Sequence, residues 1–260
     1  MKHAIIIPTV VLAVLMTAGR CDAQSAGGQP VMPREKRSAA RIPEVHARWF
    51  ALAGDSIRVE YALPAATERP IVLVLSDRYG PQESLRSLLK VLAQLGYRAY
   101  APPLLSAPEQ GFAGVPAARV DSADIVRATR VAVDLLSAES DGARMYLLGF
   151  DVGANIAIEL AARFPFFKGA ALFYPSDTLA LARLIDLQCP MQLHVPQFDT
   201  ACGLDAVEGL RDVFAREGAR LHVYFYKDAR RFFFNPMHPD YHKLNTQKAW
   251  NHLNKQFRAP

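Results

Sequence analysis

The residues best placed to do chemistry in this chain lie at one sharp turn, Gly149-Phe150-Asp151-Val152-Gly153. An apolar run at 146–148 has strand character, and a helical pattern at 154–162 follows the turn. Small residues on both sides of a central residue let a strand turn abruptly into a helix, as at a nucleophile elbow. Most such elbows present a Ser or Cys beside the N–H groups that open the helix, whereas this one presents Asp151.

Two other loops carry polar candidates for the same site. Asp199 follows a predicted strand at 191–195, and Arg231 follows a predicted strand at 221–226. Working groups in parallel sheets lie beyond the carboxyl ends of the strands, and elbow, acid and base come in this chain order in α/β-hydrolase triads. The base position therefore holds an arginine, whose guanidinium stays protonated and cannot accept a proton.

Alternating strands and helices predict the elements that must position these residues. The chain predicts a hairpin at 45–52 and 57–63, and Ile71-Val72-Leu73-Val74-Leu75 predicts a central strand buried on both faces. The pattern predicts further strands at 97–101, 169–173, 191–195 and 221–226, and helices at 83–95, 121–137, 178–187, 205–217 and 241–257. This order predicts one α/β domain at 43–260: a mostly parallel central sheet flanked by helices, with an N-terminal hairpin.

The first residues predict a signal peptide. Lys2 and His3 precede an apolar run at 4–19, which is too short to span a bilayer comfortably. Cys21-Asp22-Ala23 offers small residues for a signal peptidase, so we predict that residues 1–23 are removed before Gln24. Residues 24–42, rich in Gly, Ser, Ala and Pro, predict a flexible linker. The expected location is periplasmic or secreted, without stable membrane insertion after the leader is removed.

Composition excludes several function classes. The net charge of +5 is spread over 260 residues without a basic stripe, so no nucleic-acid partner is indicated. No metal-ligand spacing is visible, no cofactor is implied, and the oligomeric state is not indicated. A dinucleotide site is suggested by Gly149-x-x-x-Gly153-Ala154, but the first parallel strand leads into Ser76-Asp77-Arg78-Tyr79-Gly80 rather than Gly-x-Gly-x-x-Gly.

Cys189 and Cys202 are predicted to be free thiols, because the strand at 191–195 would hold them apart.

Several segments together resemble the dienelactone hydrolase family, from about residue 48 to 257. They are 74–80 with Leu85-Arg86, 96–102, 148–153, Phe198-Asp199, 223–226 with Ala229, 233–235, Tyr241 and Ala249-Trp250. The resemblance implies an α/β-hydrolase fold and a catalytic set of Cys, Asp and His with an acidic residue on the first loop.

Carried over by position, this set departs from the family pattern at two places. The acidic residue falls on Asp77 and the triad Asp on Asp199, but the Cys falls on Asp151 and the His on Arg231. The family's Pro-Asp-Leu-Tyr segment is replaced by Pro102-Pro103-Leu104-Leu105-Ser106, which puts a contact to a substrate carboxylate in doubt. The expected oxyanion-hole donors are the backbone N–H groups of Val152 and Arg78.

Two functional hypotheses follow. In the first, Asp151, Arg231 and Asp199 form an ion cluster, and the protein is a family member that has lost hydrolysis but keeps a pocket for a small molecule or serves as a scaffold. In the second, Asp151 attacks an ester, lactone, epoxide or halide carbon, and a relocated histidine such as His238 activates water. Cys202 is a further candidate for a displaced nucleophile. His194 is expected to be a satisfied core histidine, and Phe232-Phe233-Phe234 is expected to form core and pocket wall.

Overall fold

The computed structural model describes residues 42–52, 55–65, 69–80, 82–104, 122–138, 144–177, 183–186, 189–202, 204–218 and 220–257. One compact unit comprises Arg41–Pro260. The predicted signal peptide and residues 24–41 of the predicted linker lie outside the described residues. So do Asp121, the predicted cap of the second helix, and parts of the helix predicted at 178–187.

The described elements alternate between strands and helices along the chain. They are β1 His46–Leu52, β2 Asp55–Ala62, β3 Ile71–Leu75, α1 Glu83–Gln94, β4 Arg98–Ala101, α2 Ser122–Ala138, β5 Met145–Phe150, α3 Val152–Arg163, β6 Phe167–Phe173, a 3-10 turn Arg183–Asp186, β7 Met191–Phe198, α4 Leu204–Glu217, β8 Leu221–Arg230 and α5 Lys243–Phe257.

The strands form one eight-stranded sheet in the order β1-β2-β4-β3-β5-β6-β7-β8. β2 is antiparallel to both of its neighbours, and every other pair is parallel. The predicted mostly parallel sheet and its N-terminal hairpin are therefore confirmed. β3 and β5 lie in the middle, so the loops after them meet at the same edge of the sheet.

The sheet is covered on both faces, which explains the unbroken apolar run of β3. Side chains alternate across a strand, so Leu73 joins one buried cluster while Val74 joins the other. The first cluster includes residues of α2, α3 and α4, and the second includes residues of α1 and α5. In α1 the buried leucines, Leu85, Leu88, Leu89 and Leu92, recur at helical spacing.

The two strands that lead to Asp199 and Arg231 are longer than the sequence predicted. The sequence predicts that β7 ends at Val195, yet the strand continues through Pro196 to Phe198. Beyond His194 it pairs with β8 alone, and the register shifts between Pro196 and Phe198, as at a bulge. β8 likewise continues to Arg230. Asp199 and Arg231 therefore follow their strands directly.

Cys189 and Cys202 are free and buried, as predicted. Of the helices that the structure describes, none is both long enough and apolar enough to cross a bilayer.

Candidate functional site

The elbow between β5 and α3 has the strained geometry that its sequence predicted. Asp151 is fully buried and has φ 54° and ψ −118°, a conformation that residues other than glycine rarely adopt. A Cβ at Gly149 would lie 2.6 Å from the carbonyl oxygen of Gly153. A Cβ at Gly153 would lie 2.3 Å from the carbonyl oxygen of Leu75. Both positions need glycine, because the start of α3 packs directly against the backbone of β3 and β5.

Arg231 lies between the two carboxylates, and the contacts that the sequence predicted are present. Its Nη2 donates to Oδ1 of Asp151 at 2.6 Å, and its Nη1 donates to Oδ1 of Asp199 at 2.7 Å. Nη2 also donates to the carbonyl oxygen of Tyr174 at 2.6 Å. The backbone N–H groups of Ala201 and Cys202 donate to the same Asp199 oxygen, at 2.9 and 3.3 Å. The guanidinium thus bridges the elbow and the loops after β6 and β7.

A second arginine holds Asp151, and sequence reasoning missed its side chain. Arg78 Nε donates to Oδ2 of Asp151 at 2.6 Å, and its Nη2 donates to Oδ1 at 2.8 Å. Arg78 was predicted only as a backbone donor of an oxyanion hole. In the structure its N–H points at Oδ2 of Asp151 itself, at 3.2 Å. The sequence indicated that a further donor was needed, because a buried carboxylate has two oxygens to satisfy and the predicted cluster supplied only Arg231, but it did not indicate which residue donates.

The two arginines fix the charge of the elbow. Burial raises the pKa of Asp151, but the hydrogen bonds and charges of Arg78 and Arg231 outweigh it and hold that pKa below its ordinary value. Burial also disfavours the charged form of Arg231, yet Asp151 and Asp199 raise its pKa above the ordinary value. Asp151 is therefore a carboxylate and Arg231 a guanidinium throughout the working pH range.

Asp77, the acidic residue of the first loop, is held differently. Its Oδ1 accepts from the backbone N–H of Tyr79 at 3.1 Å, and its Oδ2 accepts from the side-chain amide of Asn235 at 3.3 Å. Burial, followed by repulsion from Asp151, raises the pKa of Asp77 to about 7. Asn235, which the sequence analysis did not single out for a role, thus positions this carboxyl.

Backbone strain gathers around the same contacts. Besides Asp151, positive φ angles occur at Tyr174 (38°), whose carbonyl accepts from Arg231, and at Phe232 (65°), the residue after Arg231. Such conformations persist only where surrounding contacts hold them. The hydrogen bonds of Arg231 are contacts of that kind.

The active-hydrolase hypothesis needs a histidine as base or a displaced nucleophile, so the hydrogen bonds and pKa values of His194, His238 and Cys202 bear on it. His194 is fully buried and hydrogen-bonds Tyr226 at 2.6 Å, so it is the satisfied core histidine that was expected. The ring of His238 packs on Phe232, its Nδ1 accepts from the N–H of Asp240, and burial lowers its pKa. Burial, with the Asp199 carboxylate, raises the pKa of Cys202 to about 12, which keeps that thiol protonated.

Phe232, Phe233 and Phe234 are buried, as expected for core and pocket wall. Across the described ranges, no three His, Cys, Asp or Glu side chains are grouped as metal ligands would be. Val152 begins α3 immediately after the elbow residue, where the predicted oxyanion donor should stand.

Comparisons with known proteins agree with this architecture. The dienelactone hydrolase family model matches residues 57–259. A relative from Salmonella typhi, named provisionally as a carboxymethylenebutenolidase, is 26% identical over 226 residues, which is 78% of this chain and 83% of the relative.

Two solved structures share the fold. One, a provisional dienelactone hydrolase from Klebsiella pneumoniae subsp. pneumoniae, has a TM-score of 0.70 at 23% identity, covering 83% of this chain and 99% of the other. The second, a dienelactone hydrolase-like promiscuous phosphotriesterase from metagenomic libraries, has a TM-score of 0.69 at 18% identity, covering 83% and 98%. The predicted α/β-hydrolase fold is thereby confirmed. With the family model spanning the elbow and all three of its neighbouring loops, the chain belongs to the dienelactone hydrolase family.

Proposed function

We propose that this protein is a family member that no longer hydrolyses its ligand, with the elbow carboxylate serving as a structural anion. One observation carries the proposal: both oxygens of Asp151 are tied to guanidinium groups. Arg78 and Arg231 together donate four hydrogen bonds to this carboxylate, at 2.6 to 3.2 Å. An ionised carboxylate offers about four acceptor sites, so Asp151 has no lone pair left for an attack.

The second requirement of covalent hydrolysis, a base, also argues for this proposal. An ester intermediate on Asp151 would need an activated water to open it. The family's base position holds Arg231, which is paired with Asp151 and Asp199 and cannot take a proton from water. A single attack without release of the product would not be catalysis.

The oxyanion position supports the same conclusion. A substrate carbonyl oxygen would need the N–H of Arg78, which already donates to Oδ2 of Asp151. To bind there, a substrate would have to displace a carboxylate that is buried and paired twice. Breaking such a buried pair leaves uncompensated charge, which typically costs about 3–5 kcal/mol.

Turnover measurements test the proposal. Wild type and Asp151→Asn are each incubated with p-nitrophenyl acetate, dihydrocoumarin and chloroacetate, and we expect neither to exceed the buffer rate with any substrate. Turnover by wild type that Asp151→Asn abolishes would establish the alternative, an active hydrolase with Asp151 as nucleophile. Should Asp151→Asn fail to fold, intact-mass analysis of wild type after each incubation decides. An adduct that peptide mapping places on Asp151 contradicts the proposal. An unchanged mass supports it only together with the absence of turnover by wild type, because an intermediate that water opens quickly leaves no adduct.

A further inference from the structure

A cavity of about 180 Å³ lies between α1 and α5, beside the elbow. It is lined by side chains of α1, of α5, of the loop after β3 and of the loop after β8. Asp77 and Tyr174 line it, whereas Asp151, Asp199 and Arg231 do not. The cavity is therefore a separate space beside the ion cluster, bounded by Asp77 and by Tyr174, whose carbonyl accepts from Arg231.

The inner end of the cavity is polar. Ser76 and Asp77 are 3% and 9% exposed, and both line it. The Ser76 hydroxyl is buried and has no hydrogen-bond partner among the described residues. A buried hydroxyl without a partner costs free energy, which a ligand with a hydrogen-bonding group would recover.

The charges at this end do not balance. Three carboxyl groups, those of Asp77, Asp151 and Asp199, belong to this region of the protein. Two guanidinium groups form ion pairs with Asp151 and Asp199. The ion pairs of both guanidinium groups are with Asp151 and Asp199. In the described part of the chain Asp77 has no ion pair, and its oxygens are held only by the dipoles of Tyr79 N–H and Asn235. Burial and Asp151 raise the pKa of Asp77 to about 7, although the charge of Arg78 lowers it.

The remaining walls are apolar and aromatic. Leu85 and Leu88 of α1 face residues of the other elements, among them Phe234 and Trp250. Towards the surface lie Val91 and Tyr241, which are 36% and 38% exposed. Aromatic rings attract cations as well as apolar groups. A carboxyl at the buried end and aromatic rings along the wall are complementary to an amine on an apolar body.

We propose that this cavity binds a small organic cation, a primary amine on a monocyclic aromatic or short aliphatic body. The ammonium group would pair with Asp77 and donate to the Ser76 hydroxyl, with the apolar body along Leu88 and Trp250. A cavity of 150 Å³ already accommodates benzene, so this volume limits the ligand to about one ring. The inference extends the proposed function by naming what a non-hydrolytic member would bind, but it does not depend on Asp151.

Trp250 supplies a direct readout. The chain has two tryptophans, and Trp49 is 67% exposed on β1, so Trp49→Phe leaves Trp250 as the sole tryptophan fluorophore. In that background, 2-phenylethylamine and its neutral analogue 2-phenylethanol are titrated at pH 8. We expect a saturable change with the amine and binding at least about tenfold weaker with the alcohol, the equivalent of one buried ionic contact.

Two variants locate the site. Asp77→Asn should weaken amine binding about tenfold or more and leave binding of the alcohol nearly unchanged, whereas Glu83→Gln, an exposed carboxylate on α1, should change neither. Amine binding is also expected to raise the melting temperature of wild type, a readout that needs no variant. Equal binding of amine and alcohol, unchanged amine binding by Asp77→Asn, or no saturable signal with the amine would each overturn the proposal. None of these outcomes bears on ester turnover, so the two proposals fail separately.

Discussion

Asp77 and Asp151 are neighbouring carboxyl groups with opposite electrostatic settings. Asp151 has two guanidinium partners and a pKa below its ordinary value. Asp77 accepts hydrogen bonds only from neutral donors and forms no ion pair among the described residues, and burial and Asp151 raise its pKa to about 7. Both residues are similarly buried. The difference between their pKa values therefore comes from the partners of each carboxyl group.

This contrast predicts a pH-dependent stability that belongs to Asp77. Between about pH 4 and 7 the folded protein holds the Asp77 proton and the unfolded chain does not, so the contribution of Asp77 to stability falls as pH rises through this window. Burial lowers the pKa of His194, His238 and His252, and these groups contribute a slope of opposite sign. Each pH unit contributes about 1.4 kcal/mol at most. Asp77→Asn should remove this downward contribution, so that stability rises more steeply with pH than in wild type, and should make the protein more stable than wild type at pH 8, as measured by urea unfolding at several pH values.

The matched control is Asp212→Asn, whose side chain is 77% exposed. It should leave the slope between pH 4 and 7 as in wild type. Asp151 does not interfere, because its lowered pKa places its own titration below this window. Equal slopes for wild type and Asp77→Asn between pH 4 and 7 would contradict the setting described for Asp77, because the histidine contributions are common to both proteins.

Sequence reasoning found three members of the ion cluster and missed one. Asp151, Asp199 and Arg231 follow predicted strands, so the topology alone brings them to one edge of the sheet. Arg78 lies in a loop where backbone position does not determine the direction of the side chain. Its ion pair with Asp151 depends on where the buried carboxylate oxygens lie, and the sequence does not determine these positions.

At the scale of elements, the elbow depends on two glycines that let α3 approach the sheet. Gly153→Ala would place a methyl group 2.3 Å from the carbonyl oxygens of Leu75 and Ser76, both rigid backbone atoms. We expect a loss of about 3 kcal/mol or more in the free energy of unfolding, measured by chemical denaturation.

Gly209→Ala is the control for this prediction. Gly209 lies in α4, and a Cβ there would meet nothing within 4 Å. The substitution should stabilise the protein by up to about 1 kcal/mol, because alanine is the better helix former. If Gly153→Ala were as well tolerated as Gly209→Ala, the close approach at the elbow would be wrong.

Strand positions were predictable, and their ends were less so. β3 has the bounds that its β-branched run predicted, because a strand buried on both faces leaves a continuous apolar signature. β7 and β8 continue beyond the point where their apolar runs stop, since each supports the other through pairing. Pairing between segments distant in sequence is not visible in local composition.

At the scale of the whole molecule, the family match begins at residue 57, and the predicted leader precedes it. We predict that the full chain, expressed in a Gram-negative bacterium, is exported and begins at Gln24 after processing. Ala23→Arg should block cleavage, because the peptidase needs a small residue at that position. N-terminal sequencing of the periplasmic fraction checks both, and an intact leader on cytoplasmic wild-type protein would refute the export prediction.

The family fold is retained, and a salt-bridged cluster of Asp151, Arg231 and Asp199 lies at the elbow. Two strained elements, the elbow and the turn at Phe232, meet at Arg231, so the cluster contributes to tertiary structure where relatives would place a reaction. The net contribution of the pair can be modest, but removing one member leaves the other charge buried.

Arg231→His tests this account most directly, because it places a histidine where the proposed function assigns the base position and removes the cation from the cluster. We predict a loss of about 3 kcal/mol in stability, equivalent to a fall of roughly 6–12 °C in melting temperature, and no hydrolysis of p-nitrophenyl acetate above the buffer rate. A variant that melts with wild type and gains esterase activity would contradict the account.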